Sequence, residues 1–276
     1  MLGPTPHWNY VDWAWGGSDE YPSGGVPPGG FTGGSSILTL QLAYTLNDAA
    51  DLLDAFGESN LASKYKSLKE SLGKSTWNLC WDKGNNLMAD NSAKKSFSQH
   101  ANIMAILSDA VPADQQKSIF ERTDTDKSLT QATFYYRFYL FRALKKGGLA
   151  DRYVSMLQPW KNMIAAGLTT FAETPEPTRS DCHAWSASPL YDFLATVCGV
   201  EPGSPAFKTV KIEPHLGPLK YIKGKVPHPA GDIIVDLERT GTGIKGTVIL
   251  PRGLKGKFIW GNETELKSGE NLIYFR

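Results

Sequence analysis

The chain is poor in cysteine: Cys80, Cys182 and Cys198 stand at irregular spacings, and no C-x-x-C pair occurs. That excludes a disulfide framework and a thiolate zinc site, and leaves three small thiols that read as mostly buried. Charge of one sign is also missing. Lys+Arg 29 against Asp+Glu 28 gives a formal net charge of +1, so no field gathers a phosphate backbone or an anionic bilayer. Neither a nucleic acid nor a membrane is an expected partner. No apolar run reaches the ~18 residues of a transmembrane helix, and the opening from Met1 to His7 has neither a charged nor an apolar leader segment. As written the chain reads as cytoplasmic, while a longer form could be periplasmic or secreted. No motif calls for a metal or a cofactor.

What the chain has in quantity is aromatic and turn-forming residues: 8 Trp, 11 Tyr and 12 Phe beside 27 Gly and 17 Pro. That mixture suits rings carried on bent loops, and a sugar is the first ligand class it suggests. At ~150 residues per domain, 276 residues favour two domains or one large one with an appendage. A chain this long can bury roughly 73% of its extended surface, so it needs no cross-links for a core.

Residues 1–35 hold Trp8, Trp13 and Trp15 among prolines and glycine pairs, with no helical or strand period. Three tryptophans argue against disorder, so this opening is expected to pack as a loop. From Ser36 the period becomes helical. Leu42, Leu46, Ala49, Leu53 and Phe56 predict one helix, capped by Ser35 or Ser36 and ended by Gly57; Leu61, Tyr65, Leu68 and Leu72 predict a second. Further helices are expected over 98–107, 113–122, 129–144, 149–166 with an interruption at Pro159, and 184–198 behind a Ser180 or Asp181 cap. Seven helices in antiparallel succession make a mainly α region, a helical toroid or bundle, over 1–201. Near Pro202 the period drops to two, and short β-branched runs between Gly and Pro turns predict a small antiparallel β-sandwich over 202–276.

The segment from Gly167 to Ala187 carries the chemistry. Glu173 on a β-branched stretch, followed by a loop and His183-Ala184-Trp185 at a helix start, would meet at one mouth of a helical barrel. The competing reading makes Glu173 a solvated loop acid, His183 a first-turn residue and Trp185 core. Spacing alone leaves both open.

The strings GLTTFAET, HAWSASPLYDF and GVEPGSPAFKTVKIEPHLGPLKYIKGKVPHPAGDIIV resemble the C-terminal half of bacterial α-L-rhamnosidases of the inverting six-hairpin type. WNYVDW at 8–13 resembles the aromatic-Val-Asp-Trp segment of that family's catalytic domain, and SQHANIMAIL its Ser-Gln helix. The resemblance implies part of an (α/α)6 toroid followed by the family's C-terminal β domain, acting on a rhamnose-containing glycoside or oligosaccharide. It makes Glu173 the general base, His183 a hydroxyl partner, and Trp13 and Trp185 the apolar wall. Asp12 then binds a hydroxyl or orients the loop. In an inverting glycosidase a second carboxyl group, roughly 6.5–9.5 Å away, protonates the leaving oxygen. The family's acid lies upstream of the aromatic-Val-Asp-Trp motif, where this chain has only seven residues before Trp8. The chain therefore reads as a fragment whose expected partner is the missing half of the barrel, and the isolated polypeptide as nearly inactive. Asp19, Glu20 and Asp181 are the local carboxylates a substitute acid would have to come from, and spacing favours none.

Other readings have weaker support. GGFTGGSS at 29–36 lacks the Gly-Lys-Ser/Thr ending of a phosphate loop, and Asp181, His183 and Ser186 crowd one helix start without a nucleophile elbow. A non-catalytic carbohydrate-binding module, another glycosidase, or a polysaccharide lyase on the same toroid are the alternatives that remain.

Overall fold

The computed structural model describes residues 1–17 and 24–276. The chain divides into two compact units, Met1–Leu149 and Ala150–Arg276, and the change of period near Pro202 lies inside the second.

The first unit is helical. α1 (Ser36–Ala55) and α2 (Ser59–Cys80) form a hairpin; the Ser35 hydroxyl accepts from the Leu38 N–H, and Gly57 turns the chain at φ +84°. A two-stranded ribbon, β1 (Trp81–Asp82) with β2 (Leu87–Met88), precedes α3 (Gln99–Leu107). Every residue of α3 is buried, and the Ser98 hydroxyl caps it by accepting from Ala101 N–H at 3.1 Å. α4 (Ala113–Thr125) starts behind Pro112, and α5 (Arg137–Lys146) closes the unit. α1 packs on α2 and α3, and α3 packs on α4 and α5, so α1, α3 and α5 form a row with α2 and α4 flanking it.

The periods of the first two helices are those expected, but their buried faces are not. α1 buries Ile37, Leu40, Ala43, Leu46 and Ala50, whereas Leu52 and Phe56 are exposed; α2 buries Ala62, Gly73, Thr76 and Cys80, leaving Leu61 and Leu68 exposed. Neighbouring α3 selects the face of α1, and small residues of α2 let it approach closely. Gly73 stands mid-helix, where glycine costs about 1 kcal/mol relative to alanine. A Cβ there would meet the Ala110 Cβ at 3.6 Å, an ordinary contact, so packing alone does not require the glycine.

The fifth helix begins at Arg137, not at Leu129. Thr130 is tied instead to the approach of α3, donating to Phe97 O at 3.1 Å and accepting from Gln99 N–H at 2.9 Å, while Ala132 N–H donates to Gln99 Oε1 at 2.9 Å. Those bonds engage groups that a helical turn would need.

In the second unit, residues 150–156 form a 3-10 helix and α6 (Gln158–Ala165) starts there, so Pro159 opens a helix instead of interrupting one. The expected helix over 184–198 is in pieces: a 3-10 turn at Ala184–Ser186, a short α7 (Ser188–Asp192), and one π-helical turn at Phe193–Val197. His183 stands at its start and neither Ser180 nor Asp181 caps it. Pro189, which lacks an N–H, prevents a continuous ladder. Gly199 ends the run at φ +71°, where a Cβ would lie 2.0 Å from Glu213 O.

Eight strands follow: β3 (Val200–Pro202), β4 (Thr209–Ile212), β5 (Tyr221–Val226), β6 (Ile233–Thr240), β7 (Gly243–Leu250), β8 (Lys255–Trp260), β9 (Asn262–Leu266) and β10 (Gly269–Phe275). They make two four-stranded sheets, ordered β10-β7-β6-β5 and β3-β4-β8-β9. All pairs in these sheets are antiparallel except β4 with β8, a departure from the all-antiparallel expectation. The chain leaves β4, builds β5 to β7 in the other sheet, and returns beside β4 in the same direction. Alternate residues Ile233, Val235 and Leu237 of β6 are buried with Ile244, Val248 and Leu250 of β7. Phe258 of β8 stacks on Phe275 of β10 at 5.6 Å, joining the sheets.

Candidate active site

The five residues singled out in the sequence fall in two places, Asp12 and Trp13 in the first unit and Glu173, His183 and Trp185 in the second. Asp19 and Glu20 lie outside the described residues.

In the first unit, glycines shape the aromatic loop. Val11 N–H donates to Gly25 O at 2.8 Å, the Trp8 indole to Gly24 O at 3.0 Å, and Asn9 Nδ2 to Gly30 O at 2.7 Å. Gly25 has φ +78°, and a Cβ on it would meet the Tyr10 ring at 2.4 Å. This close approach lets Tyr10 pack between Trp8, 5.3 Å away, and Trp13, 5.0 Å away, with Tyr135 at 6.2 Å. Trp13 is half-buried and Trp8 is 50% exposed.

Asp12 is fully buried. Its carboxylate accepts from Thr133 N–H at 2.9 Å and from the Thr133 hydroxyl, and it contacts His100 Nε2 at 2.7 Å. The His100 ring lies between Trp15 at 4.5 Å and Tyr136 at 4.3 Å. A carboxylate so engaged fastens the aromatic loop to the start of α3 and to the 129–136 segment. Nearby, Asp90 accepts from the Ser98 hydroxyl at 2.6 Å. Burial raises its carboxyl pKa above the ordinary value, against the lowering effect of hydrogen bonds from Ser98 and Ser96 and the charge of His100.

In the second unit the 167–187 loop is tied as a narrow ribbon: Glu173 N–H donates to Ser180 O at 2.8 Å, and His183 N–H to Phe171 O at 2.7 Å. The Thr170 hydroxyl donates to Asp181 O. These bonds set Glu173 opposite Ser180 and His183 opposite Phe171 on the two arms of the ribbon. The Trp185 indole donates to Glu173 O at 3.3 Å, and the rings of His183 and Trp185 lie 4.4 Å apart. Trp160 donates to Ser186 O at 2.7 Å and anchors the turn that carries Trp185. Glu173 is 2% exposed and both its oxygens meet Arg179, with Nε donating to Oε2 at 3.0 Å and Nη2 to Oε1. The Arg179 side chain is 71% exposed.

Three residues in these arrangements escaped the sequence. His100 carried a signal, an imidazole in a run so apolar that it had to find a buried partner; Thr133 and Arg179 carried none beyond polar character. Among the described residues no group of three or more His, Cys, Asp or Glu stands ready to hold a metal. No helix of the described residues is long and apolar enough to cross a membrane. Cys80 and Cys198 are buried and Cys182 is exposed; burial pushes the first two thiols up to about 11, which makes them poor nucleophiles.

Residues 2–197 match the family model of the bacterial alpha-L-rhamnosidase 6 hairpin glycosidase domain, and residues 199–271 that of the bacterial alpha-L-rhamnosidase C-terminal domain. The chain belongs to the bacterial alpha-L-rhamnosidase family. Its fold is similar to that of the GH78 rhamnosidase of Bacillus sp. GL1, at 22% identity and a TM-score of 0.74 over 94% of this chain and 28% of that one. The α-L-rhamnosidase of Aspergillus terreus aligns at 19% identity and a TM-score of 0.72, covering 85% of this chain and 29% of that one. The Streptomyces avermitilis α-L-rhamnosidase, solved in complex with L-rhamnose, aligns at 18% identity and 0.68, covering 85% and 26%. This family member therefore spans under a third of those three rhamnosidases, and the likeness to them establishes the shared fold. No curated protein matches the chain significantly.

Proposed function

We propose that this chain contributes the general base and part of the sugar site to an enzyme that hydrolyses terminal α-L-rhamnosides with inversion. The observation that carries the reading is the placement of Glu173. It is a buried carboxylate on a hydrogen-bonded ribbon of a rhamnosidase-family chain, its backbone carbonyl accepting from the Trp185 indole, whose ring lies 4.4 Å from that of His183. Glu173 takes a proton from the attacking water. His183 binds ring hydroxyls, and Trp185 supplies an apolar face for the sugar ring. Asp12 acts through the loop it fastens and touches no substrate. In domain terms, residues 1–201 belong to the catalytic toroid and 202–276 to the accompanying sandwich.

The test is Glu173→Gln in the complete protein that carries this chain, assayed on an aryl α-L-rhamnoside. A general base contributes about 10²–10⁴ in rate, so kcat should fall by that factor with substrate affinity kept. Proton NMR of the first-formed sugar should show the inverted anomer. A kcat within about tenfold of the parent would overturn the base assignment. The bidentate contact with Arg179 favours a second reading in which Glu173 only braces a carbohydrate-binding loop; retained turnover in Glu173→Gln with loosened binding would select it.

A further inference from the structure

At the far end of α3 from His100, a groove of about 580 Å³ runs between α2 and the turn into α4. Trp77, Gly73, Lys69, Glu70 and Lys74 of α2 form one wall, and Asp109 with its neighbours forms the other. Its size is that of a small-molecule site. One face of Trp77 is braced by buried Trp81, the rings stacked 4.2 Å apart at 13°. Polar groups at the rim are held in place: Lys69 Nζ donates to Asn47 Oδ1 at 3.0 Å and to Asp109 Oδ2 at 3.1 Å, and Lys146 Nζ reaches Asp109 Oδ1 at 2.6 Å. Asp109 is ionised, because those two ammonium groups outweigh burial and lower its pKa.

Gly73 adds an independent observation. Helix propensity disfavours glycine at that position and packing does not demand it, since the nearest atom to an added Cβ is 3.6 Å away. Its presence leaves the groove open beside Trp77. The ligand class follows from the wall chemistry. An aromatic face takes the C–H side of a pyranose, while ammonium donors and carboxylate acceptors together match hydroxyl pairs, which both accept and donate. Lys69 and Lys146 are both engaged by Asp109 and Lys74 stands one helical turn from Glu70, which leaves a single net positive charge on an open rim, too little to select an anion over a neutral ligand.

We propose that the Trp77 groove is a second carbohydrate site, which binds a neutral sugar ring away from Glu173. The inference does not depend on the role of Glu173. Its test is a titration of the isotope-labelled chain with methyl α-L-rhamnopyranoside and, separately, methyl β-D-glucopyranoside, read at the tryptophan indole N–H resonances. The Trp77 signal, assigned through Trp77→Phe, should move saturably with one of the two sugars in the millimolar range. Gly73→Ala should raise the melting temperature yet weaken that isotherm about fivefold or more, because its methyl group narrows the groove. The surface pair Glu70→Ala/Lys74→Ala should weaken it while leaving the circular dichroism unchanged. A Trp77 resonance that stays still with both sugars, or a Gly73→Ala chain that binds as tightly as the parent, overturns the proposal. Movement of Trp185 or Trp13 without Trp77 would support the rhamnosidase site and sink this one; movement of Trp77 alone would do the reverse.

Discussion

Truncating Asp12 to alanine tests the anchoring of the aromatic loop most directly. The substitution removes a fully buried carboxylate that accepts two hydrogen bonds from Thr133 and contacts His100 Nε2 at 2.7 Å. Hydrogen bonds to charged groups are worth about 1.5–3 kcal/mol each, but they share one acceptor and do not simply add. Stranding the buried Thr133 and His100 donors at about 1–3 kcal/mol each, and more for partners of a carboxylate, gives about 3–5 kcal/mol in all. The side chains of Asp12 and His100 are both 0% exposed, so solvent screening does not reduce that figure. With a urea slope of about 2 kcal/mol per molar, the unfolding midpoint of the first unit should drop by about 1.5–2.5 M, followed by tryptophan fluorescence. A cycle with His100→Ala should give a coupling of about 1–3 kcal/mol. Asp12→Asn, which keeps an acceptor for Thr133, should lose less than half as much. A midpoint that moves by less than ~0.5 M in Asp12→Ala would refute the anchoring argument, because no buried polar partner would then have been stranded.

Three further outcomes are expected. The pKa of Asp90 is raised in the folded state, so its contribution to stability is fully present below the unfolded value and is lost as pH rises through the folded one. Asp90→Asn should therefore be neutral or stabilising at pH ~7 and lose that advantage at pH ~4, measured by urea unfolding at both; a loss at neutral pH would contradict it. Arg179→Ala removes an exposed guanidinium from Glu173, so solvent screening limits the cost. The Glu173 and His183 amides should exchange with deuterium about two- to fivefold faster, up to ~1 kcal/mol, and unchanged rates would show the ribbon does not need the pair. Gly199→Ala forces a Cβ to within 2.0 Å of Glu213 O at φ +71°. It should cost about 2 kcal/mol or more, seen as a lower thermal midpoint of the second unit.

The α-to-β order, the hairpin of α1 and α2, the cap at Ser35 and most strands were legible in the sequence, because helical and strand periods and their punctuation are local properties. The motif around Glu173 and the paired Asp12-Trp13 were legible as strings. Their surroundings were not. Which stripe of α1 is buried depends on α3, the irregular path of 129–136 depends on hydrogen bonds to Phe97 and Gln99, and the parallel pairing of β4 with β8 depends on where three intervening strands go. Glu173 read equally well as a solvated loop acid until Arg179 and the 2% exposure were in view. Local covalent sequence determined the kinds of element and the aromatic, carboxylate-bearing loops. Only tertiary structure decided which faces those elements bury and which groups meet the carboxylates, because both depend on neighbours distant along the chain, as with Thr133, His100 and Asp12.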